Sequence, residues 1–305
     1  MRLSTVEYFK TLNSDTTGDL AHLEGDDLIR FQKILMDMTE DIAEVCRKYN
    51  VTYMLLGGSL LGAIRHNGFI PWDDDMDLGI LSSDYDRFIE AFRKEYGDKY
   101  WVHTDDTPEY GMTIGRIRLK GSVLRGREDK FLDECGFFID LFRIENVPNN
   151  KLIRKLHGTL CMGMGLFLSC RVFYRNRELM RELAKGNKEA EKIFNRKIRI
   201  GSLLRFFSVT KWAQLTQKCH EMCKNNNSRC VAIPSGRKHY FGEIYDREGL
   251  CNTELHEFDG HKFMIPVNYE GYLKQLYGDY HRIPSVEERE SHIFLEIRFP
   301  EETVC

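Results

Sequence analysis

Four things are scarce in this 305-residue chain, and each absence narrows its class. The first twenty residues contain no apolar run of signal-peptide length and carry acids, which argues against export by that route. The formal net charge is only -3, so there is no global pull toward nucleic acid. The nine cysteines are scattered and odd in number, in a chain far larger than a disulfide scaffold. That usage points to reduced thiols in a cytoplasmic protein. No internal repeat is present. What remains is a globular composition, 42% hydrophobic and 30% charged, able to bury one large core or two moderate ones.

The chemistry concentrates between Tyr53 and Ile80. An apolar run from Val51 to Leu56 predicts a buried strand, Gly57 and Gly58 break it, and Ser59 is placed to cap a helix ending near His66. Unpaired amides and the helix dipole at such a turn favour a phosphate. Downstream, Asp73, Asp75 and Asp77 are spaced by two, so an extended Asp73 to Ile80 would put all three carboxylates on one face and turn Asp74 away. Crowded carboxylates need a cation, and hard ions such as magnesium or manganese share their coordination between carboxylates, water and substrate phosphate. Phosphoryl transfer uses this arrangement. The plain alternative is an acidic surface turn.

In chain order, Leu28, Phe31, Leu35, Met38, Ile42, Val45 and Tyr49 predict a helix over Asp26 to Tyr49. Ser83 with Asp86 resembles a capping box for a helix over Asp84 to Glu95, ended by Gly97, with Tyr85, Phe88, Ile89 and Phe92 inward. Strands are expected over Tyr100 to Thr104, Thr113 to Leu119 and Phe137 to Ile144. Asp140 inside the last is costly unless paired or metal-bound, so it should face the site of Asp75 and Asp77. Arg65, His66 and the alternating Arg116, Arg118 and Lys120 are candidate ligands for phosphate; an exposed polar edge is the alternative for that row.

Beyond Pro148 the character changes. Leu156 to Phe173 is apolar over about the length of a bilayer span, but holds three glycines, a His and an Arg between basic flanks. A buried helix, a helix at an anionic membrane surface and a span are the three readings. Arg175 to Arg205 reads as a long basic helical region and Asn225 to Ser228 as a loop. Cys219, His220, Cys223 and Cys230 with His256 and His261 invite zinc, yet their spacing fits no standard finger or ribbon. Tyr277 to Tyr280 reads as a turn whose aromatics could close over the site and suit a quaternary ammonium.

The run GGSLLGAIRHNGFIPWDDDMDL resembles the signature of the LicD family, which includes fukutin and fukutin-related protein, within the nucleotidyltransferase-fold superfamily. GFFIDLFRIENVP around Asp140, the tail FDGHKFMIPVNYEGYLKQLYGDYHRIP and His292 extend the likeness from about Asp26 onward; Arg143 departs from the proline frequent after the IDLF-type run. The resemblance implies a mixed α/β fold: a nucleotidyltransferase-like sheet flanked by helices. It also implies a magnesium-dependent transfer of a phospho-alcohol such as phosphocholine or ribitol phosphate from a CDP-activated donor to a sugar hydroxyl. By position Asp75 and Asp77 look like the metal pair, Asp140 like the third carboxylate and Asp73 like a further acid of the catalytic motif. The expected organisation is an N-terminal extension (1–25), a catalytic core (26–149), a helical basic insertion (150–228) and a C-terminal part of the catalytic domain (229–305). Gly57, Gly58 and Ser59 with Arg65, His66, Arg116 and Arg118 would hold a donor such as CDP-choline. The acceptor would be a glycan or lipid-linked glycan, with no nucleic acid, and the protein cytoplasmic, peripheral to the inner face of the membrane. Two alternatives share these residues: a nucleotidyltransferase releasing pyrophosphate, and a non-catalytic glycan- or partner-binding relative.

Overall fold

The computed structural model describes residues 21–126, 129–289, 292 and 294–301, so the expected N-terminal extension lies outside the described residues as far as residue 20. Helix α1, Gly25–Lys48, buries Leu28, Phe31, Leu35, Met38, Ile42 and Val45, the stripe its spacing predicts. Asp26 and Asp27 open it and Arg47 and Lys48 close it, each complementing the helix dipole. Strand β1, Tyr53–Leu55, runs straight into α2, Gly57–His66, which stops where Asn67 turns left-handed at φ 56°. After an irregular connection come β2, Asp77–Leu81, and α3, Ser82–Tyr96. The capping box expected from Ser83 and Asp86 is not formed. α3 begins one residue before Ser83 with no side-chain cap, and Asp86 faces Arg143 at 3.7 Å.

Strands β3 (Tyr100–His103), β4 (Gly115–Leu119), β5 (Val123–Arg125) and β6 (Phe138–Asn146) follow. The main sheet has the order β1-β2-β6-β4-β3; β2 and β6 are parallel and the other neighbours antiparallel. This is the expected mixed sheet flanked by helices. Its core joins the inner faces of α1 and α3 to strand residues such as Leu78, Ile80, Ile139 and Leu141.

The chain then enters a stack of helices: α4 (Lys151–Arg175), α5 (Arg177–Ala184), α6 (Lys188–Leu203) and α7 (Val209–His220). Asn150 caps α4 by accepting from the amides of Leu152 and Ile153. The basic stretch from Arg175 to Arg205 divides into separate helices at Gly186, whose φ of +90° ends regular helix. These helices pack through small clusters of their own, for example Phe173 on Phe194 and Leu168 on Trp212.

Strands β7 (Cys230–Ala232) and β8 (Ile244–Asp246) continue the sheet from the far end of β6. A hairpin of β9 (Thr253–Phe258) and β10 (His261–Pro266) leads to α8, Tyr269–Tyr277. Finally β11 (Glu296–Arg298) pairs with β5. The C-terminal segment thereby returns to the core and supplies side chains to its acidic end.

Candidate active site

The parallel register of β2 and β6 sets Asp77 directly opposite Asp140. The Asp140 amide donates to the Met76 carbonyl (3.0 Å), and the Asp77 amide to the Ser59 hydroxyl (2.8 Å). Strand geometry begins only at Asp77, so the expected extended segment from Asp73 is instead an irregular turn over 73–76. The turn, not the pleat, gathers the acids: Asp73 and Asp75 share a hydrogen bond between carboxyls, and both bear electrostatically on Asp77. Gln32 on α1 fixes the turn by donating to the Asp73 carbonyl (2.8 Å). Asp74 takes a separate partner. Buried, it accepts from the His292 amide (2.9 Å) and lies 2.7 Å from that residue's Nδ1.

Burial first, then mutual repulsion, raises Asp73 and Asp77 well above the ordinary carboxylate range. Asp75 is pushed up to about 6 by burial, with His292 pulling it down and Asp74 and Asp140 pushing it up. Its side chain keeps 25% of its surface open, which gives the cluster a mouth. Of the cations weighed from sequence, Arg116 reaches the cluster, its Nε 2.6 Å from Asp140 Oδ1.

The glycine turn is shaped by these carboxylates. A Cβ at Gly57 would lie 2.3 Å from Asp77 Oδ2, and one at Gly58 2.7 Å from Asp73 Oδ2; Gly57 also sits at φ +52°. Ser59 does not cap α2 as expected. The helix starts two residues earlier, Leu56 stands at the N-cap without a side-chain bond, and the Ser59 hydroxyl braces Asp77 instead. The Gly57 amide donates to the Tyr272 hydroxyl (3.0 Å), leaving Gly58 and Ser59 as amides with no carbonyl one turn back inside the helix.

The remaining candidates divide. Arg65 donates through Nη1 to the carbonyls of Tyr280 (3.0 Å) and Arg282 (3.1 Å), clasping the segment after α8, and burial lowers its pKa. His66 meets the Trp72 ring edge-on at 6.3 Å, and burial and Arg65 lower its pKa. Arg116 and Arg118 do share a face, stacked over Phe138 at 3.9 and 4.9 Å. That row is neither an exposed edge nor wholly a phosphate ligand, because β4 lies inside the sheet between β6 and β3. Arg118 is fully buried against Asp129 (2.7 Å), and Lys120 donates to the Gly97 carbonyl (2.7 Å).

Sequence inspection missed Asp129, Tyr272 and Arg237. Tyr277, on the last turn of α8, stands by the cluster as its aromatic character suggested: burial and then Asp77 raise its hydroxyl pKa, opposed by Arg237, whose guanidinium lies 5.9 Å from the ring centre. Tyr280 packs in the core instead. The spacing of Tyr272, Leu273, Leu276 and Tyr277 was the available signal for this helix.

Among the described residues no three His, Cys, Asp or Glu side chains close into a ready-made metal cage. Three of the six residues invited by the zinc reading have other partners: Cys219 Sγ lies 3.7 Å from Cys161 Sγ, His256 Nε2 3.2 Å from the Ala63 carbonyl and His261 Nδ1 2.7 Å from Glu40. The acidic cluster nonetheless fits magnesium, an ion that takes one or two carboxylates and completes its shell with water and substrate phosphate. Buried carboxyls whose ionisation is opposed by one another are the donor set such an ion relieves.

A family model described as LicD/FKTN/FKRP, nucleotidyltransferase domain, matches residues 50–152, the span holding the glycine turn and all the clustered acids. The chain is 27% identical over 281 residues to the lipopolysaccharide cholinephosphotransferase LicD of Haemophilus influenzae, covering 86% of this chain and 94% of that protein. It is 31% identical over 102 residues to the mouse ribitol 5-phosphate transferase FKRP, 26% of this chain and 21% of that protein. Residues 50–152 thus resemble the nucleotidyltransferase domain of the LicD/FKTN/FKRP family, and two of the relatives are, by name, a cholinephosphotransferase and a ribitol 5-phosphate transferase.

Proposed function

We propose that the chain is a magnesium- or manganese-dependent phosphotransferase that moves phosphocholine from CDP-choline to a hydroxyl of a cell-surface glycan or its lipid-linked precursor, in the cytoplasm. The observation that carries this reading is the convergence of Asp73, Asp75, Asp77 and Asp140 at the N-terminus of α2. Similarity along 94% of a cholinephosphotransferase supports phosphocholine over ribitol phosphate as the group moved. The catalytic unit on this reading is residues 26–149 completed by 229–305, since Tyr272, Tyr277 and His292 reach the site from the C-terminal part.

Asp75 and Asp77, with Asp140 adjoining, would hold the ion, which when bound neutralises the donor pyrophosphate. The Gly58 and Ser59 amides orient a donor phosphate at the positive end of α2, and the missing side chains of Gly57 and Gly58 let it approach the acids. Arg116 fixes the orientation of Asp140. The acceptor hydroxyl attacks the phosphorus that carries the alcohol, and cytidine monophosphate leaves.

Nucleotide release from CDP-choline, CDP-ribitol and CDP-glycerol, with and without magnesium and a glycan acceptor, tests the proposal. Release of cytidine monophosphate should require the metal, favour CDP-choline and fall at least about a hundredfold in an Asp75→Asn, Asp77→Asn double variant. Full turnover by that variant, or pyrophosphate as the product, would overturn it.

A further inference from the structure

Charge is shared very unevenly along this chain. Residues 151–220 hold sixteen Lys or Arg and four Asp or Glu, a net +12, which leaves -15 to the remainder. No acid occurs between residues 147 and 177 or between 192 and 220. Helix α4 opens this basic unit and is apolar on two faces. One face, with His157, Cys161 and Leu168, is buried. His157 pins it: Nε2 lies 2.8 Å from the Cys219 carbonyl and Nδ1 3.1 Å from the Tyr240 hydroxyl.

On the other face Leu152, Leu156, Leu160 and Phe167 follow one another at helical spacing past Gly163, exposed by 68, 64, 47 and 39%. The apolar surface does not stop at the end of that stripe. Phe167 packs edge-on against Trp212 at 5.9 Å, and the same indole meets Phe206 at 5.7 Å and Phe207 at 5.8 Å in the turn between α6 and α7. Phe206 remains 65% exposed, and Leu203 beside it 76%. Lys151, Lys155 and Arg205, all exposed, flank the two ends. A soluble surface seldom carries apolar side chains in such a continuous row.

We infer that this face of α4, with the α6–α7 turn, is a docking surface for an anionic lipid bilayer, with α4 lying in the headgroup plane. From Leu152 to Phe167 the stripe is about 23 Å long. Its leucines and phenylalanines enter the acyl boundary while Lys151, Lys155 and Arg205 meet lipid phosphates. α4 is long and apolar enough to cross a membrane. It lies flat because its buried face is held by α6 and α7, where Lys197 Nζ reaches Ser169 Oγ at 3.0 Å and Leu168 packs on Trp212. Charge selects the occupant: a second copy of this chain would bring like charge against like, whereas an anionic bilayer is complementary. The surface is independent of the transfer chemistry and stands or falls separately.

The test is flotation of the full-length protein with vesicles of phosphatidylcholine alone and of phosphatidylcholine mixed with phosphatidylglycerol. Binding should need the anionic lipid and weaken as salt rises. Leu156→Asp with Phe206→Asp should lower partitioning at least about tenfold. Lys151→Ala and Lys155→Ala should each lower it about fivefold. These positions are exposed, so circular dichroism and melting should match the parent; if the Asp pair unfolds, Leu160→Ser with Phe206→Ser takes its place and should give the same loss. No binding to either vesicle, binding unchanged in the apolar variants, or a dimer abolished by those variants in a protein that ignores vesicles would each overturn the proposal.

Discussion

Glu145 shows how a single buried acid makes the stability of this protein depend on pH. Burial pushes it up to about 7, and the hydrogen bond from Gln217 (2.7 Å) and one from Ser82 only partly offset that. Because the folded pKa lies above the usual carboxylate value, its contribution is complete below about pH 4.5 and is lost as the pH rises through about 7. Glu145→Gln, which keeps an acceptor for Gln217, should leave stability unchanged near about pH 4 and add about 3 kcal/mol near about pH 8.5. Urea unfolding at the two pH values measures the difference, and equal gains at both would contradict it. Asp140 and Glu145 lie on the same strand, yet only Asp140 was legible in the sequence. An acid flanked on both sides by apolar residues is conspicuous, whereas Glu145 stands just past the apolar run, and its burial depends on α7 from far along the chain.

β4 illustrates what an element's place in a sheet does to its side chains. Alternation correctly predicted that Arg116 and Arg118 share a face, but whether that face meets solvent depends on strand order, which local spacing does not encode. With Asp129 and Arg118 both at 0% exposure, Arg118→Ala should cost about 3 kcal/mol by removing the nearer of the two guanidinium partners of a buried carboxylate, leaving it Arg116 at 3.9 Å and the Gly126 amide. Denaturant midpoints would show it, and a stable variant with a raised KM for the donor would instead mark Arg118 as a phosphate ligand. Elements governed by local periodicity were legible: α1 and α3 lie within two residues of expectation at each end. The start of α2 was not, because the left-handed φ at Gly57 answers to the Asp77 carboxylate across the turn, a contact invisible in the string.

For the molecule as a whole, the acidic cluster is a destabilising feature that a cation should convert into a stabilising one. Asp75 is raised to about 6 and Asp73 and Asp77 stand higher still, so metal-free stability should decline as the pH rises through about 6 and beyond. On the proposed function magnesium would bind the ionised carboxylates and reverse that decline, adding about 2.7 kcal/mol at a hundred times its Kd. Melting curves across that pH range, with magnesium and with a chelator, test both halves; an increment independent of pH would place the ion elsewhere. At this scale the sequence already showed a mixed fold and an acidic site served by Asp140. It pointed to Tyr277 but did not show that the Tyr272 hydroxyl supports the glycine turn or that His292 partners Asp74, since these contacts span some two hundred residues.

The parallel pairing of β2 with β6 also bears on folding. Asp77 and Asp140 become neighbours only after sixty-three residues of chain have been looped back, including α3 and the antiparallel β3 and β4. Such non-local pairing forms late, after the loop entropy has been overcome. The acidic cluster therefore cannot act as a template for the nascent chain; its assembly belongs to the last stage of folding.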